Sequence, residues 1–266
     1  MRRASTCVAV LGLALLALPG LASAAPTVTF KAVAVPISGY ADTGNILGAG
    51  AALKSEFTIS GTEYGGFPAP LIGVDVSLPT GAVIHSAGFK TCTKEVLEKE
   101  GAPACVKKGS SAGPVGSTLG VVAFGDERVP EETELYSFFS STGGLMFFAD
   151  GHSPVSLEII SNAHYVNLHG GDGYGPKVIS EVPLVVTVPG APDASVEKIS
   201  VKVGAAYGPK NDPKKDTYYG RLPKKCPKGG FPLKAELIFA PHAEATSPGP
   251  GTETVTTTYK APCPRT

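Results

Sequence analysis

A chain of 266 residues with 23 basic and 23 acidic side chains carries no formal net charge at pH 7. That balance excludes a global attraction to nucleic acid or to an anionic membrane surface. Glycine (33) and proline (24) are abundant but fall between apolar runs, the mark of a turn-rich globular protein rather than a disordered one.

Residues 1–24 read as a secretory signal peptide. Arg2 and Arg3 are a short basic start, "CVAVLGLALLALPGLA" is the apolar stretch, and Ala22, Ser23 and Ala24 offer a small-residue cleavage site. Cleavage removes Cys7 with the peptide and leaves 21 basic against 23 acidic side chains. No second long apolar run follows, so the expectation is an exported, extracytoplasmic protein with no membrane span after cleavage. Residues 25–266 are expected to form one domain.

The mature chain opens on three strand candidates, "TVTFKAVAV", "SEFTIS" and "LIGVDVSL". A short helix follows between Cys92 and Cys105, with Thr93 as its cap, Glu95 in its first turn, and Gly101 with Pro103 as its stop. "STLGVVAF" is apolar on both faces and suits a central strand. "DERVPEETE" reads as a solvated acidic turn. Then come "TELYSFF", "GLMFFA", "SPVSLEII", "AHYVNL" and "VISEVPLVVTV", with "PGAPDAS" linking to "VEKISVKV". Ile199, Val201 and Val203 alternate with lysine and serine in that last strand. Leu233, Ala235, Leu237 and Phe239 do the same in "LKAELIFA". In the closing "TETVTTTY", Thr252, Thr254, Thr256 and Thr258 share one side, expected to be a solvated face. Many strands, turn signals and no long helix predict an all-β fold, an antiparallel β-sandwich or jelly-roll.

Four cysteines remain after cleavage, and an even count in an exported chain predicts two disulfides. Three pairings are possible. Neighbour pairing is expected, Cys92 with Cys105 across the helix and Cys226 with Cys263 across the open end of a C-terminal hairpin spanning 226–263. Zinc is disfavoured because no C-x-x-C pair exists and no histidine lies close in sequence to either pair.

Candidate chemistry fails test by test, and no catalytic residue, metal ligand or cofactor is expected. In "AHYVNLHGGDGYGPK", His164 and His169 fall on opposite strand faces. The glycines lack the lysine and following helix of a phosphate loop, so a hairpin connection is expected there. Asp150, His152 and Ser153 are chain neighbours at one strand end, where they are not expected to orient one another as a hydrolytic triad. Among Asp126, Glu127, Glu131, Glu132 and Glu134, a glycosidase would need two carboxylates held across a cleft. The candidate contact surface is the tip residues Asp172 and Tyr174 with the basic, tyrosine-bearing segment Lys214, Lys215, Tyr218, Tyr219, Lys224 and Lys225.

The layout "SLPTGAVIHSAGFKTCTKEVLEKEGAPACVKKGSSAG", with "LPKKCPKGGFPLKAELIFA" and a final "TYKAPCP", resembles uncharacterised secreted β-rich proteins of high-GC actinobacteria. The resemblance implies a secreted, disulfide-bearing β protein and carries over no catalytic residue. The leading expectation is a non-enzymatic protein working by surface contact, in adhesion, assembly or association with a cell-wall polymer or another surface protein. The alternatives are a polysaccharide-active hydrolase or lectin-like jelly-roll, and a carrier of a small apolar ligand, which would be marked by a closed internal cavity.

Overall fold

The structure is a computed structural model that describes residues 25–37, 46–124, 127–153, 156–168, 172–184, 194–208, 217–240 and 252–264. The expected signal peptide, Asp126, His169, Lys214, Lys215 and most of "PGAPDAS" lie outside the described residues.

The strands before the helix are β1 (Thr27–Pro36), β2 (Ala51–Ser60), β3 (Leu71–Pro79) and the short β4 (Val83–Ile84). Helix α1 spans Lys94–Lys108. Five long strands follow: β5 (Gly116–Phe124), β6 (Glu127–Phe139), β7 (Leu145–Gly151), β8 (Leu157–Asn167) and β9 (Tyr174–Glu181). Then come β10 (Ser195–Val203), the two-residue β11 (Ala206–Tyr207), β12 (Thr217–Tyr218) and β13 (Gly220–Arg221), and the closing pair β14 (Phe231–Phe239) and β15 (Glu253–Ala261).

Eleven of these form one sheet in the order β1-β2-β10-β5-β6-β7-β8-β9-β3-β14-β15. Every pairing in it is antiparallel. The all-β antiparallel expectation holds, and the sheet curls until it is nearly closed into a barrel. Its first and last strands come together, with the Phe30 and Tyr259 rings 6.2 Å apart between centroids. Ten antiparallel steps leave β1 and β15 running in the same direction. An odd number of antiparallel strands can close only through a parallel ladder, and none joins β1 to β15 among the described residues. The barrel therefore has a seam.

Strand by strand, the period-two reading holds. Leu233, Ala235, Leu237 and Phe239 are all buried in β14, and Thr254, Thr256 and Thr258 are exposed in β15, whereas Thr252, just before the strand, is half-buried. β5 is central, between β10 and β6. Two strands come out longer than the residues suggest. "SPVSLEII" and "AHYVNL" join as the single β8, because Ser161, Asn162 and Ala163 keep the ladder to β7 unbroken. The stretch from Glu127 is not a turn but the first half of β6, paired residue for residue with β5. Its alternating glutamates mislead by charge: Glu132 and Glu134 are exposed, whereas Glu131 is 2% exposed on the inward face.

Both predicted disulfides are present, Cys92–Cys105 and Cys226–Cys263. Thr93 caps α1, its hydroxyl accepting from the Val96 N–H at 3.4 Å. Gly101 breaks the helix as expected, at φ 70°, but does not end it. A second helical stretch restarts with Pro103 in its first turn and runs to the Gly109 cap, so Cys105 is itself helical. This bent helix covers the outer face of the barrel. Leu97, Ala102 and Cys105 pack on Phe138 of β6 with Met146 and Phe148 of β7. That explains why "YSFF" and "LMFF" are apolar on both faces: one face lines the barrel and the other carries the helix. Burial of each large side chain there contributes about 2 kcal/mol.

A candidate ligand cavity inside the barrel

The inward faces divide into a filled region and a hollow one. Where β1 and β2 face β3 and β14, the interior is solid with Phe30, Phe57, Ile59, Leu237 and Phe239, the two phenylalanines of β1 and β2 stacked at 4.8 Å. Elsewhere, small side chains point inward: Ala51 and Ser55 of β2, Ala149 of β7, Ser161 of β8, Ser180 of β9. An eleven-stranded barrel is too wide for such residues to meet across it. They leave a cavity of about 250 Å³ that is partly open to the outside, not closed as the carrier alternative expected. Its wall includes Val74 and Val76 of β3, Phe147 of β7, Ile159 of β8, and Ile199 and Val201 of β10. These six point into the barrel yet are only half-buried. A close-packed core would bury them fully.

One end of the barrel is capped. β13 pairs with β4, setting Gly220 opposite Ile84 and Arg221 opposite Val83, and β11 pairs with β12. Gly50 bridges to Arg221, and the Tyr218 ring lies directly against the Gly50 backbone, where any Cβ would collide with it. Between the short ladders, the Tyr219 N–H donates to the Ala205 carbonyl at 2.9 Å, and the Tyr219 carbonyl accepts from the His85 N–H at 2.8 Å. These bonds turn the Tyr219 ring inward against Phe139, centroids 5.2 Å apart, with Phe89 and Tyr165 beyond. Tyr219 lines the cavity and is 5% exposed.

The lining is almost wholly apolar. Thr118 is satisfied by Thr133, hydroxyl to hydroxyl at 2.6 Å. Arg221 is the one charged lining residue among those described, and its guanidinium stacks over Tyr218 at 5.8 Å. The Tyr219 and Tyr165 hydroxyls are buried and turned toward each other, with Ser86 and the Gly144 backbone also beside Tyr165. Burial, and then the neighbouring Tyr165, push the Tyr219 phenol well above its ordinary range.

The candidate contact residues gather at this capped end, but not all on its surface. Asp172 is exposed, and the Gly173 carbonyl beside it accepts from the Thr80 N–H at 2.9 Å. Tyr174 lies in β9 under the Lys234 ammonium, 5.6 Å from its ring centroid. Lys224 and Lys225 are exposed, and Tyr218 is half-buried. Tyr219 is corrected from contact surface to interior: its neighbours in chain hold short ladders on both sides, so it must face the opposite way from Tyr218.

Asp75 and Glu236 are cross-strand neighbours on the outer face of β3 and β14, joined by Lys177, whose ammonium is 2.7 Å from one and 2.8 Å from the other. Burial alone would lower Lys177, but the two carboxylates outweigh it and hold its pKa above the ordinary value. Asp150 and His152 do approach, at 3.4 Å, despite being chain neighbours, but the imidazole is largely exposed and lies away from the cavity. No cluster able to hold a metal ion occurs among the described residues, and no helix among them is long and apolar enough to cross a membrane.

No known protein family, curated protein or solved structure matches the chain.

Proposed function

We propose that the protein is an extracytoplasmic carrier of a small apolar ligand, held inside the barrel. The observation that carries this is the cavity of about 250 Å³, walled by half-buried valine, isoleucine and phenylalanine from several strands. An empty apolar cavity forgoes dispersion contacts along its walls and costs stability, and an apolar guest restores them. Two disulfides fit the oxidising compartment to which a signal peptide would send the chain. On this reading no chemistry is done to the ligand, which accords with the apolar lining.

The surface-contact reading keeps one observation in its favour: Asp172, Tyr174, Lys224 and Lys225 gather at the capped end, where a partner would meet them together. The hydrolase reading loses ground, because Asp75 and Glu236 are neutralised by Lys177 on the outer face of the sheet rather than in a groove.

The test is calorimetric titration with p-xylene. The protein should bind one equivalent with a negative heat-capacity change. Ala149→Phe, which places a ring in the cavity, should abolish binding while keeping the fold and its two disulfides. Absence of saturable binding to the wild-type protein, or binding unaffected by Ala149→Phe, would overturn the carrier reading.

A further inference from the structure

We propose that the ligand is a compact carboxylic acid, its apolar body inside the barrel and its carboxylate on the Arg221 guanidinium at the mouth. This rests on the carrier reading and specifies the class of ligand.

Exposure locates the mouth. Among the described residues that line the cavity, only Val83 and Arg221 are exposed, Val83 at 51%. The two are direct cross-strand partners, Val83 on β4 and Arg221 on β13. The apolar interior therefore meets solvent beside one ladder of two residue pairs, at the edge of the cap. An apolar and a cationic side chain stand side by side there, which is the pairing an amphiphile needs.

Arg221 is mounted to serve as the anchor. Its main chain is paired with Val83 and bridged to Gly50. Its guanidinium lies over the Tyr218 ring, which is itself pressed against the Gly50 backbone. Contact with a ring face leaves in-plane N–H donors, and these match a carboxylate in a two-bond fork. No carboxylate of the described residues lies within ion-pair distance of Arg221. The exposed Lys224 and Lys225, at the same end, add positive potential that Asp172 offsets only in part.

The rest of the lining offers a head group no charge. A carboxylate drawn inside would lose its hydration with no partner, at a large cost. At the mouth it keeps water on one side and meets the guanidinium on the other. Size follows from volume. An apolar cavity of about 150 Å³ holds one benzene, so one of about 250 Å³ holds a body on the order of ten non-hydrogen atoms. A medium-chain fatty acid fits that description.

The experiment titrates octanoate, octanol and p-xylene into wild-type protein, Arg221→Gln, Val83→Glu and Lys225→Gln. Wild-type protein should bind octanoate more tightly than octanol. Arg221→Gln should weaken octanoate about 10-fold, the value of one partly solvated charge-assisted hydrogen bond. Its octanol binding should be unchanged, which shows that fold and cavity are intact. Val83→Glu sets a carboxylate opposite Arg221 and should have the same effect without removing the arginine. Lys225→Gln should cost octanoate less than about 3-fold, because a solvated lysine acts only through a screened field. If octanol and p-xylene bind, the carboxylate anchor is overturned and the carrier reading stands in either of two cases. One is octanol binding more tightly than octanoate to wild-type protein. The other is Arg221→Gln leaving octanoate unchanged or weakening octanoate and octanol equally. If none of the three compounds binds to wild-type protein, the carrier reading itself fails.

Discussion

Tyr219 and Tyr165 meet at the capped end of the barrel with ring centroids 6.3 Å apart, their buried hydroxyls turned toward each other. One ring comes from the short segment that closes the barrel, the other from the inward face of β8. Their pairing therefore ties the cap to the wall, and it leaves two phenols deep in an apolar setting.

Those phenols predict an alkaline signature. Burial raises Tyr165 and Tyr219, while the Glu134 carboxylate, accepting from Tyr136 at 2.6 Å, pushes Tyr136 up to about 12. The fold holds each phenol neutral, so the unfolded chain loses these protons first. The stabilisation is complete below the unfolded value near 10 and is lost as pH rises toward the folded values. Of the nine tyrosines, these three should ionise last in a phenolate absorbance titration of the native protein, and only on unfolding for Tyr219. Simultaneous ionisation of all nine near pH 10 would contradict the packing.

The outer-face ion pair predicts an acidic counterpart. Burial tends to raise Glu236, but Lys177 and Lys234 outweigh it and hold its carboxyl below the usual range. Such a group stabilises the fold above its unfolded pKa, and the contribution is lost as pH falls through the folded value. Lys177→Met leaves Asp75 and Glu236 facing each other across the ladder and should cost about 2 kcal/mol at neutral pH. The deficit should shrink on acidification. Denaturation midpoints of the variant and the parent across acidic and neutral pH measure this, and a pH-independent deficit would count against it.

Cys226–Cys263 closes the end of the hairpin at which Phe231 and Ala261 pair, with a Cα–Cα distance of 5.9 Å and a sequence separation of 37. Loop-closure entropy for that span gives about 4 kcal/mol as an upper figure. Replacing both cysteines with serine should lower stability by about 2–4 kcal/mol in chemical denaturation. Because β15 borders the seam, its amides should lose protection most. Unchanged stability would mean that the β14–β15 ladder holds the end of the chain by itself.

Much of this fold was legible in the residues. The period-two faces of β10 and β14, the solvated threonines of β15, the Thr93 cap and both disulfides follow from local patterns, and local patterns survive folding. Glu131 did not follow, because charge density argues for solvent while strand pairing with β5 turned this one glutamate inward. Tyr219 was missed for a similar reason: a tyrosine pair in a lysine-rich stretch looks exposed until β12 and β13 set the two rings to opposite sides. The cavity was the largest omission. Its signal was present in the small inward residues Ala149, Ser161 and Ser180, but an alternating strand says which side is buried, not how far away the opposite wall lies. That distance depends on how many strands join one sheet, a property of the whole chain.

The seam has a measurable consequence of its own. β1 and β15 each present one edge with no ladder partner among the described residues, whereas β6 and β7 are paired on both sides. In native-state hydrogen exchange, edge amides of β1 and β15 should exchange well before those of β6 and β7. Equal protection would mean that the barrel closes in solution.

The most direct test of the account is to locate a bound guest. A crystal equilibrated with p-xylene should show the ring inside the barrel, in contact with Val76, Phe147 and Ile199, with the surrounding strands unmoved. A barrel whose side chains have collapsed to fill the space, or p-xylene found only on the outer surface, would contradict the claim that this fold is built around a ligand.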